Sequence, residues 1–162
     1  MRKRRLPVIM ALALMCCLVM LTGKSVKASE GEKIDGSYLT EGDSSAGKAV
    51  LKMRGVYLMT GDCSISKAGR GRAYVYASTT ANMTVDYVGV IVRVEQYDEA
   101  NESWVQVDAW TADEANTYYV STSKTVTVER GHYYRVHAEH IAGPVDGEKD
   151  TGDSITDGIK IN

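Results

Sequence analysis

The side chains best suited to chemistry in this 162-residue chain are its three histidines, its cysteines and its scattered carboxylates. His137 and His140 lie three positions apart on a predicted strand, so they point to opposite faces and cannot both ligate one metal ion. His137 and Glu139 share a face, but they would need ligands from another strand to hold a metal. We interpret them as part of a surface ladder of mixed charge. We predict no metal site and no cofactor.

Hydrolytic chemistry has no characteristic motif in the chain. There is no Gly-x-Ser-x-Gly sequence of the kind that presents a serine nucleophile. Cys63 follows Asp62, whose negative charge disfavours a thiolate nucleophile. Glu95, Asp108 and Glu139 are available as a carboxylate pair, but no spacing selects two of them. The sequence therefore predicts no catalytic residue.

Residues 146–153 form an acidic, glycine-rich segment with oxygen ligands at short spacing. The segment lacks the regular Asp-x-Asp/Asn-x-Asp/Asn-Gly pattern of a calcium loop, and Lys149 interrupts it. We interpret it as a solvated loop before the last strand.

On the predicted strand over residues 104–111, tryptophans and polar residues alternate with small apolar ones. If Val105 and Val107 face the core, the other residues of the strand share the opposite, outward face. Flat rings flanked by hydrogen-bonding groups suit a sugar ring or a protein partner. A second interpretation stays open, in which Trp110 lies beyond a bulge and packs against the core. The candidate ligand-binding residues are Trp104, Gln106, Asp108 and Trp110.

Apolar and polar residues alternate with a period of two along most of the chain after residue 53, as is typical of half-buried strands. The clearest run spans residues 85–97, where four valines fall on one face. Clusters of turn-forming residues, including residues 113–116, separate the runs. Seven or eight short strands predict an all-β fold, a single antiparallel β-sandwich. The residues predicted to face its core are Val88, Val90, Val92, Val94, Val126, Val128, Val136 and Ala138.

Residues 1–28 have the layout of a secretory signal peptide. Residues 2–5 are basic, residues 6–21 form an uncharged apolar run, and a cleavage site of the A-x-A type ends at Ala28. The sequence thus predicts a secreted, extracellular protein.

Cleavage would remove Cys16 and Cys17 and leave Cys63 as the only cysteine, so no internal disulfide is available. Residues 29–52 carry few large apolar side chains and are predicted to form a flexible polar leader. Residues 53–162 are long enough for one domain with a core of its own.

Cleavage also makes the protein acidic. The chain has 19 basic and 21 acidic residues, and the signal peptide contains six of the basic ones and none of the acidic ones, which leaves 13 against 21, or −8. A protein with this charge is repelled by nucleic acid and by anionic membranes. We predict neither as a partner.

The segment Tyr134-Arg135-Val136-His137-Ala138 follows a predicted strand and a corner that contains Gly131. It resembles the F strand of fibronectin type III-like and immunoglobulin-like domains. The corner tyrosine of those domains would fall at His132. Either Tyr134 takes that role or the corner is absent.

A broader resemblance covers most of the domain and is carried by residues 54–58, 61–66, 79–82, 103–105, 110–111 and 131–138. These segments are similar to a family of small secreted all-β proteins of Gram-positive, clostridia-type bacteria, known only as a domain of unknown function. The resemblance implies secretion and an all-β fold. It implies no activity, substrate or catalytic residue.

Three functions of different classes follow from these observations. The first is a secreted non-catalytic interaction module for an unknown extracellular glycan or protein. The second is a small secreted hydrolase with Cys63 or a carboxylate in the central role. The third is a self-assembling extracellular matrix protein whose tyrosine-rich sheet edges pair between copies. We favour the first because no catalytic motif is present. The sequence selects neither the ligand nor the oligomeric state.

Overall fold

The computed structural model describes residue 31, residues 33–51 and residues 55–162, and the predicted signal peptide lies outside them. The described part of the chain is all β. No helix within it has the length and hydropathy that crossing a membrane requires. The ten strands are β1 (Lys33–Ile34), β2 (Ser37–Thr40), β3 (Ser44–Lys48), β4 (Val50–Leu51), β5 (Leu58–Lys67), β6 (Arg72–Asp98), β7 (Ser103–Thr127), β8 (His132–Gly143), β9 (Asp150–Ile155) and β10 (Gly158–Ile161).

Strands β6 and β7, of 27 and 25 residues, form one long antiparallel hairpin. Their pairing is irregular between Thr80 and Val85, where the hairpin bends. The bend turns the two halves of the hairpin face to face, and Trp110 Nε1 of one half donates a hydrogen bond to Thr122 Oγ1 of the other at 3.1 Å. One folded hairpin therefore supplies both walls of the core.

The remaining strands extend this hairpin into one continuous sheet. Strand β5 pairs with the first half of β6, and β8 pairs with its second half. The main strand order is β1-β2-β10-β8-β6-β5-β3, and β2 and β10 are parallel. The sheet is mixed and curls into a half-barrel. The predicted sandwich of two antiparallel sheets is not confirmed, because a single sheet folds over on itself to enclose the core.

The predicted core residues do lie inside. Val88, Val90, Val92 and Val94 are fully buried, and they face Ala73, Val75 and Ala77 of the first half of the hairpin within the same core cluster. Val126, Val136 and Ala138 are also buried, and Val128 packs against the same cluster. The period-two pattern gave the correct face for each of these residues because no bulge interrupts the strand segments that carry them.

The predicted turn at residues 113–116 is wrong, because these residues lie inside β7. Asn116 takes a positive φ of 54°, a conformation that asparagine tolerates better than most residues. The strand accordingly changes direction here without ending, close to the bend of the hairpin.

The segment predicted to be a flexible leader contributes four strands over residues 33–51. Its sparse apolar residues suffice because they are placed against other strands: Leu39 is fully buried with Tyr97 and Tyr133. Strand β3 runs so close to Ile155 that a Cβ atom at Gly47 would come within 2.2 Å of the Ile155 carbonyl oxygen. The segment is part of the sheet.

Arg135 of β8 fixes the N-terminal strands to the rest of the sheet. Its side chain is only 3% exposed and pairs through Nε with Glu95 Oε2 at 2.7 Å. The other guanidinium nitrogens reach the connection between β1 and β2, namely the Asp35 carbonyl and carboxylate at 2.7 and 2.9 Å and Ser37 Oγ at 3.1 Å. The guanidinium also lies 4.4 Å from the centre of the Trp104 ring. The charge is thus paired and hydrogen-bonded on every side.

Tyr134 is buried in the core and its hydroxyl donates to the Glu129 carbonyl, five residues upstream, at 2.9 Å. This is the hydrogen bond that a corner tyrosine makes. Tyr134 thus makes the contact expected of the first alternative, within one curled sheet and not in the two-sheet sandwich of those domains. Burial raises the pKa of its hydroxyl to about 12.

A second buried polar group lies between the two walls. The His140 ring is fully buried, with Nδ1 at 2.8 Å from Thr79 Oγ1 and Nε2 at 2.7 Å from Ser154 Oγ. Gly61 lies against the ring, where any Cβ would overlap it. Burial lowers the pKa of His140 to about 4. The imidazole is neutral at neutral pH and both of its nitrogens have partners.

The valine face can be tested by Val92→Asp, which should prevent folding. A buried unpaired charge costs several kcal/mol, against a total stability of about 5–15 kcal/mol. The control Arg93→Gln, on the outward face of the same strand, removes only a half-exposed ion pair with Glu139 and should cost less than about 1 kcal/mol. Urea unfolding followed by circular dichroism measures both. Similar losses from the two substitutions would contradict the register.

The buried imidazole predicts a pH dependence of stability. An unfolded histidine has a pKa of about 6.5, so between pH 6.5 and 4 the unfolded state binds more protons than the folded one. Stability should be full above that window, and His140 alone should make it about 2 kcal/mol lower at pH 5 than at pH 7. An NMR titration of the imidazole resonances tests this, and a His140 signal that titrates near pH 6.5 in the folded protein would refute it. His132→Gln, which removes an exposed imidazole, should leave the stability difference unchanged.

Candidate functional site

The two tryptophans do not share a face. Gln106 pairs with Glu95 and Asp108 pairs with Val94, which leaves Val107 as an extra residue in a β-bulge. One inserted residue moves every side chain beyond it to the opposite side of the strand. Trp104 and Gln106 therefore lie on the outer face, whereas Asp108 and Trp110 lie on the inner one.

Neither tryptophan is an open platform for a ligand. Trp104 is half-buried under the N-terminal strands, where Nε1 donates to the Ile34 carbonyl at 3.1 Å and the ring lies 5.4 Å from Tyr97. Trp110 packs against the core, which confirms the second interpretation of its role. Val105 and Val107, expected to be buried, are 49% and 47% exposed. The structure does not bring the four candidate residues together into one surface.

Asp108 is occupied as well. Its Oδ2 atom forms an ion pair with Lys124 Nζ at 2.7 Å, across the gap between the two halves of the folded hairpin. The same ammonium group lies 5.1 Å from the centre of the Trp110 ring. Asp108 thus helps to hold the two halves of the hairpin together.

The exposed aromatic surface lies instead on the outer side of the first half of the hairpin. Tyr74 and Tyr119 are each 41% exposed, and the half-buried Tyr76 lies between them. Strand pairing surrounds these rings with short hydroxyl side chains from three neighbouring strands. We call this surface the tyrosine face; its residues are Tyr74, Tyr76, Tyr119, Ser64, Ser66, Ser78, Ser121, Ser123 and Thr125.

Hydrogen bonds order part of the tyrosine face. The hydroxyls of Tyr76 and Tyr119 lie 2.9 Å apart. Hydrogen bonds with Ser121 and then with Tyr76 lower the pKa of Tyr119. For Tyr76, the hydrogen bond with Ser78 lowers the pKa, but the bond with Tyr119 and partial burial outweigh it and the pKa is raised. The two tyrosine hydroxyls therefore belong to one hydrogen-bonded network with Ser78 and Ser121.

The tyrosine face is regular. Pairing of β6 with β7 runs without a bulge from Arg72↔Thr127 to Thr80↔Tyr119, and that of β6 with β5 runs without one from Ala73↔Lys67 to Thr80↔Thr60. Tyr74 and Tyr76 consequently project from one strand about 6.6 Å apart, with neighbouring strands about 4.8 Å away. Flat rings and hydroxyls then recur at intervals comparable to the size of a sugar ring.

Sequence reasoning missed this face although its signal was present. Tyr74 and Tyr76 alternate with small apolar residues, and Ser121, Ser123 and Thr125 alternate in the same way. The two segments are about 45 residues apart in the chain, and only the folded hairpin places them side by side.

The other residues considered for chemistry are buried or lie in ion pairs. Cys63 is buried, and burial raises the pKa of its thiol to about 11, which disfavours a thiolate. His137 lies between Glu95 and Asp153, at 4.0 and 3.5 Å, in the predicted ladder of mixed charge. Among the described residues, no group of three or more side chains is arranged to hold a metal ion.

The acidic segment 146–153 ends in a structural contact. The Asp150 carboxylate accepts hydrogen bonds from the backbone amides of Tyr57 and Leu58, and so fixes the start of β5. The predicted solvated loop at residues 146–153 is correct only for residues 146–149, because Asp150–Ile155 form β9.

A shallow pocket of about 440 Å³ opens at the end of the hairpin where β6 turns into β7. The half-exposed Val105 and Val107 line it together with Gln96, Asp98 and His132. Val105 lies on the inner side of the strand opposite Gln96, and Val107 is the extra residue of the bulge.

The profile of a family of unknown function, DUF6147, matches residues 24–157. The chain belongs to DUF6147. The match covers strands β1 to β9 and confirms the resemblance to a domain of unknown function. No curated protein and no solved structure matches this member of DUF6147.

Trp104→Ala should now act as a stability mutation. The ring packs against Tyr97 and Arg135 and holds Ile34, so its loss should cost roughly 3 kcal/mol. Gln106→Ala, at the next outward position of the strand, is exposed and should change the free energy of unfolding by less than about 0.5 kcal/mol. Urea unfolding of the two variants measures the difference. If the Trp104→Ala protein is as stable as the parent, the ring does not contribute to packing, and this assignment is wrong.

Proposed function

We propose that this protein is an exported, non-catalytic interaction module that binds an extracellular glycan through its tyrosine face. The observation that carries the proposal is the regular array of exposed tyrosine rings among serine and threonine hydroxyls. Export from a Gram-positive bacterium rests on the signal-peptide layout of residues 1–28 and on the family resemblance.

A sugar ring presents one flat apolar side and a rim of hydroxyls, and the tyrosine face offers a complement to both. Tyrosine rings supply flat apolar area with a polar edge. The hydroxyls of Ser64, Ser123 and Thr125 donate and accept hydrogen bonds equally well. Because serine and threonine lose little side-chain entropy on binding, the surface needs little reorganisation to meet a ligand.

The charge of the face favours a neutral glycan. Within the rows that contain Tyr74 and Tyr76, paired positions on β5 and β7 carry only hydroxyl side chains. Charged side chains appear at the two ends, with Arg72 at one and Asp62 at the other. These central rows of the face therefore carry no charged side chain that would favour an acidic or a basic ligand.

A catalytic role has less support than binding. A thiol hydrolase would need Cys63 as its thiolate, whereas burial keeps that thiol protonated. Glu95 is held by Arg135 and Asp108 by Lys124. These carboxylates are engaged in ion pairs that stabilise the fold.

The proposal can be tested by co-sedimentation of the protein with insoluble neutral polysaccharides and by a glycan array. The parent protein should bind at least one neutral glycan saturably. Tyr74→Ala/Tyr119→Ala should weaken that binding about tenfold or more, with the circular dichroism spectrum and melting temperature nearly unchanged. The control Tyr38→Ala removes an equally exposed tyrosine from β2, outside the tyrosine face, and should bind like the parent.

Two outcomes would refute the proposal. The first is an absence of binding to any neutral glycan. The second is an equal loss of binding in the double variant and in Tyr38→Ala. Saturable binding to an extracellular protein alone would show that the ligand class is wrong.

A further inference from the structure

Strand β7 is an edge strand over its entire length. Among the described residues it is hydrogen-bonded only to β6, although it contains 25 residues. In an antiparallel pair every second residue points its backbone N–H and C=O groups away from the partner strand. Such a row of free groups is a template for another strand unless charges, prolines or bulges protect it.

The two halves of β7 differ in this protection. The half next to the turn carries Asp108, Asp113 and Glu114 and contains the bulge at Val107. Residues 117–127 contain no proline and a single charge. Their pairing with β6 is regular from Tyr119 to Thr127. They are also rich in threonine, tyrosine and valine, which favour extended structure.

That single charge, on Lys124, does not protect the edge from pairing with another strand. Lys124 pairs with Val75, which is fully buried, so its side chain points to the inner face of the sheet. There its ammonium group contacts Asp108 at 2.7 Å and the Trp110 ring at 5.1 Å. The other exposed side chains of the segment are uncharged, including Tyr119, Ser123 and Thr125.

From this we infer that two copies of the protein associate through residues 117–127 of β7, paired antiparallel about a two-fold axis. An antiparallel pair of identical segments is self-complementary, because each copy presents the same donors and acceptors to the other. Without the predicted signal peptide the protein carries 13 basic and 21 acidic residues, so most approaches of two copies bring like charges together. Residues 117–127 themselves contain no acidic side chain, and the nearest ion pair, Asp108 with Lys124, is neutral overall.

The pairing has a geometric consequence for the tyrosine face. Tyr119, Ser121, Ser123 and Thr125 belong both to that face and to the paired edge. Joining two edges makes one sheet that runs from β3 of one copy to β3 of the other. The two tyrosine faces then become a single continuous surface about twice as wide. The association itself does not depend on what that surface binds.

The test is the concentration dependence of molecular mass by analytical ultracentrifugation. The parent protein should dimerise reversibly. In Ser123→Lys/Thr125→Lys, four added ammonium groups meet at the paired edges, so the dimer dissociation constant should rise about tenfold or more. The control Thr111→Lys/Ala115→Lys adds the same charge at exposed positions of the other half of β7 and should dimerise like the parent. All three proteins should give the same circular dichroism spectrum.

Amide hydrogen exchange provides a second measurement that needs no substitution. Alternate amides of residues 117–127 should exchange more slowly as the protein concentration rises, whereas amides of residues 108–114 should not. A parent protein that stays monomeric, a dimer that survives in the Ser123→Lys/Thr125→Lys variant, or equal weakening in the control would each overturn the inference.

Discussion

The bend in the β6–β7 hairpin is the constraint on which the rest of this structure depends. A flat hairpin of this length would expose its valine row to water on one whole side. Bending near Thr80 and Val85 brings Val75 and Ala77 into one core with Val90 and Val92. The same bend leaves the outer side of the first half uncovered. Core, tyrosine face and free edge are thus three results of one change of direction.

Arg135 holds the N-terminal strands against the folded hairpin. The folded hairpin leaves Trp104 and Tyr97 on its outer side, and the N-terminal strands cover them because the guanidinium attracts Asp35 and Ser37. A buried arginine is stabilising only when its hydrogen bonds are satisfied, and here Glu95 and the β1–β2 connection provide the partners. The polar group thus specifies where a weakly apolar segment docks.

The sequence predicted the strands and the inward valines because these depend on local alternation, which is preserved within each regular run. It could not predict that the runs before and after Asn82 belong to one strand. A residue pattern that interrupts the alternation is the same whether the strand bends there or ends there. The bulge at Val107 reversed the faces of Trp110 and Asp108, because a single extra residue inverts all later alternation. The docking of residues 33–51 depends on contacts such as Asp35 with Arg135, 100 positions apart, which no local pattern records.

The distance in sequence between these partners also sets the order in which the molecule can assemble. Strand β2 pairs with β10, and Ser37 donates to the carbonyl of Thr156, 119 residues later. Strand β2 therefore has no parallel partner until β10 has been synthesised. Contacts that close such long loops form slowly, so we expect the pairing of β2 with β10 to form late in folding. Until β10 is in place, β2 can pair only with β1.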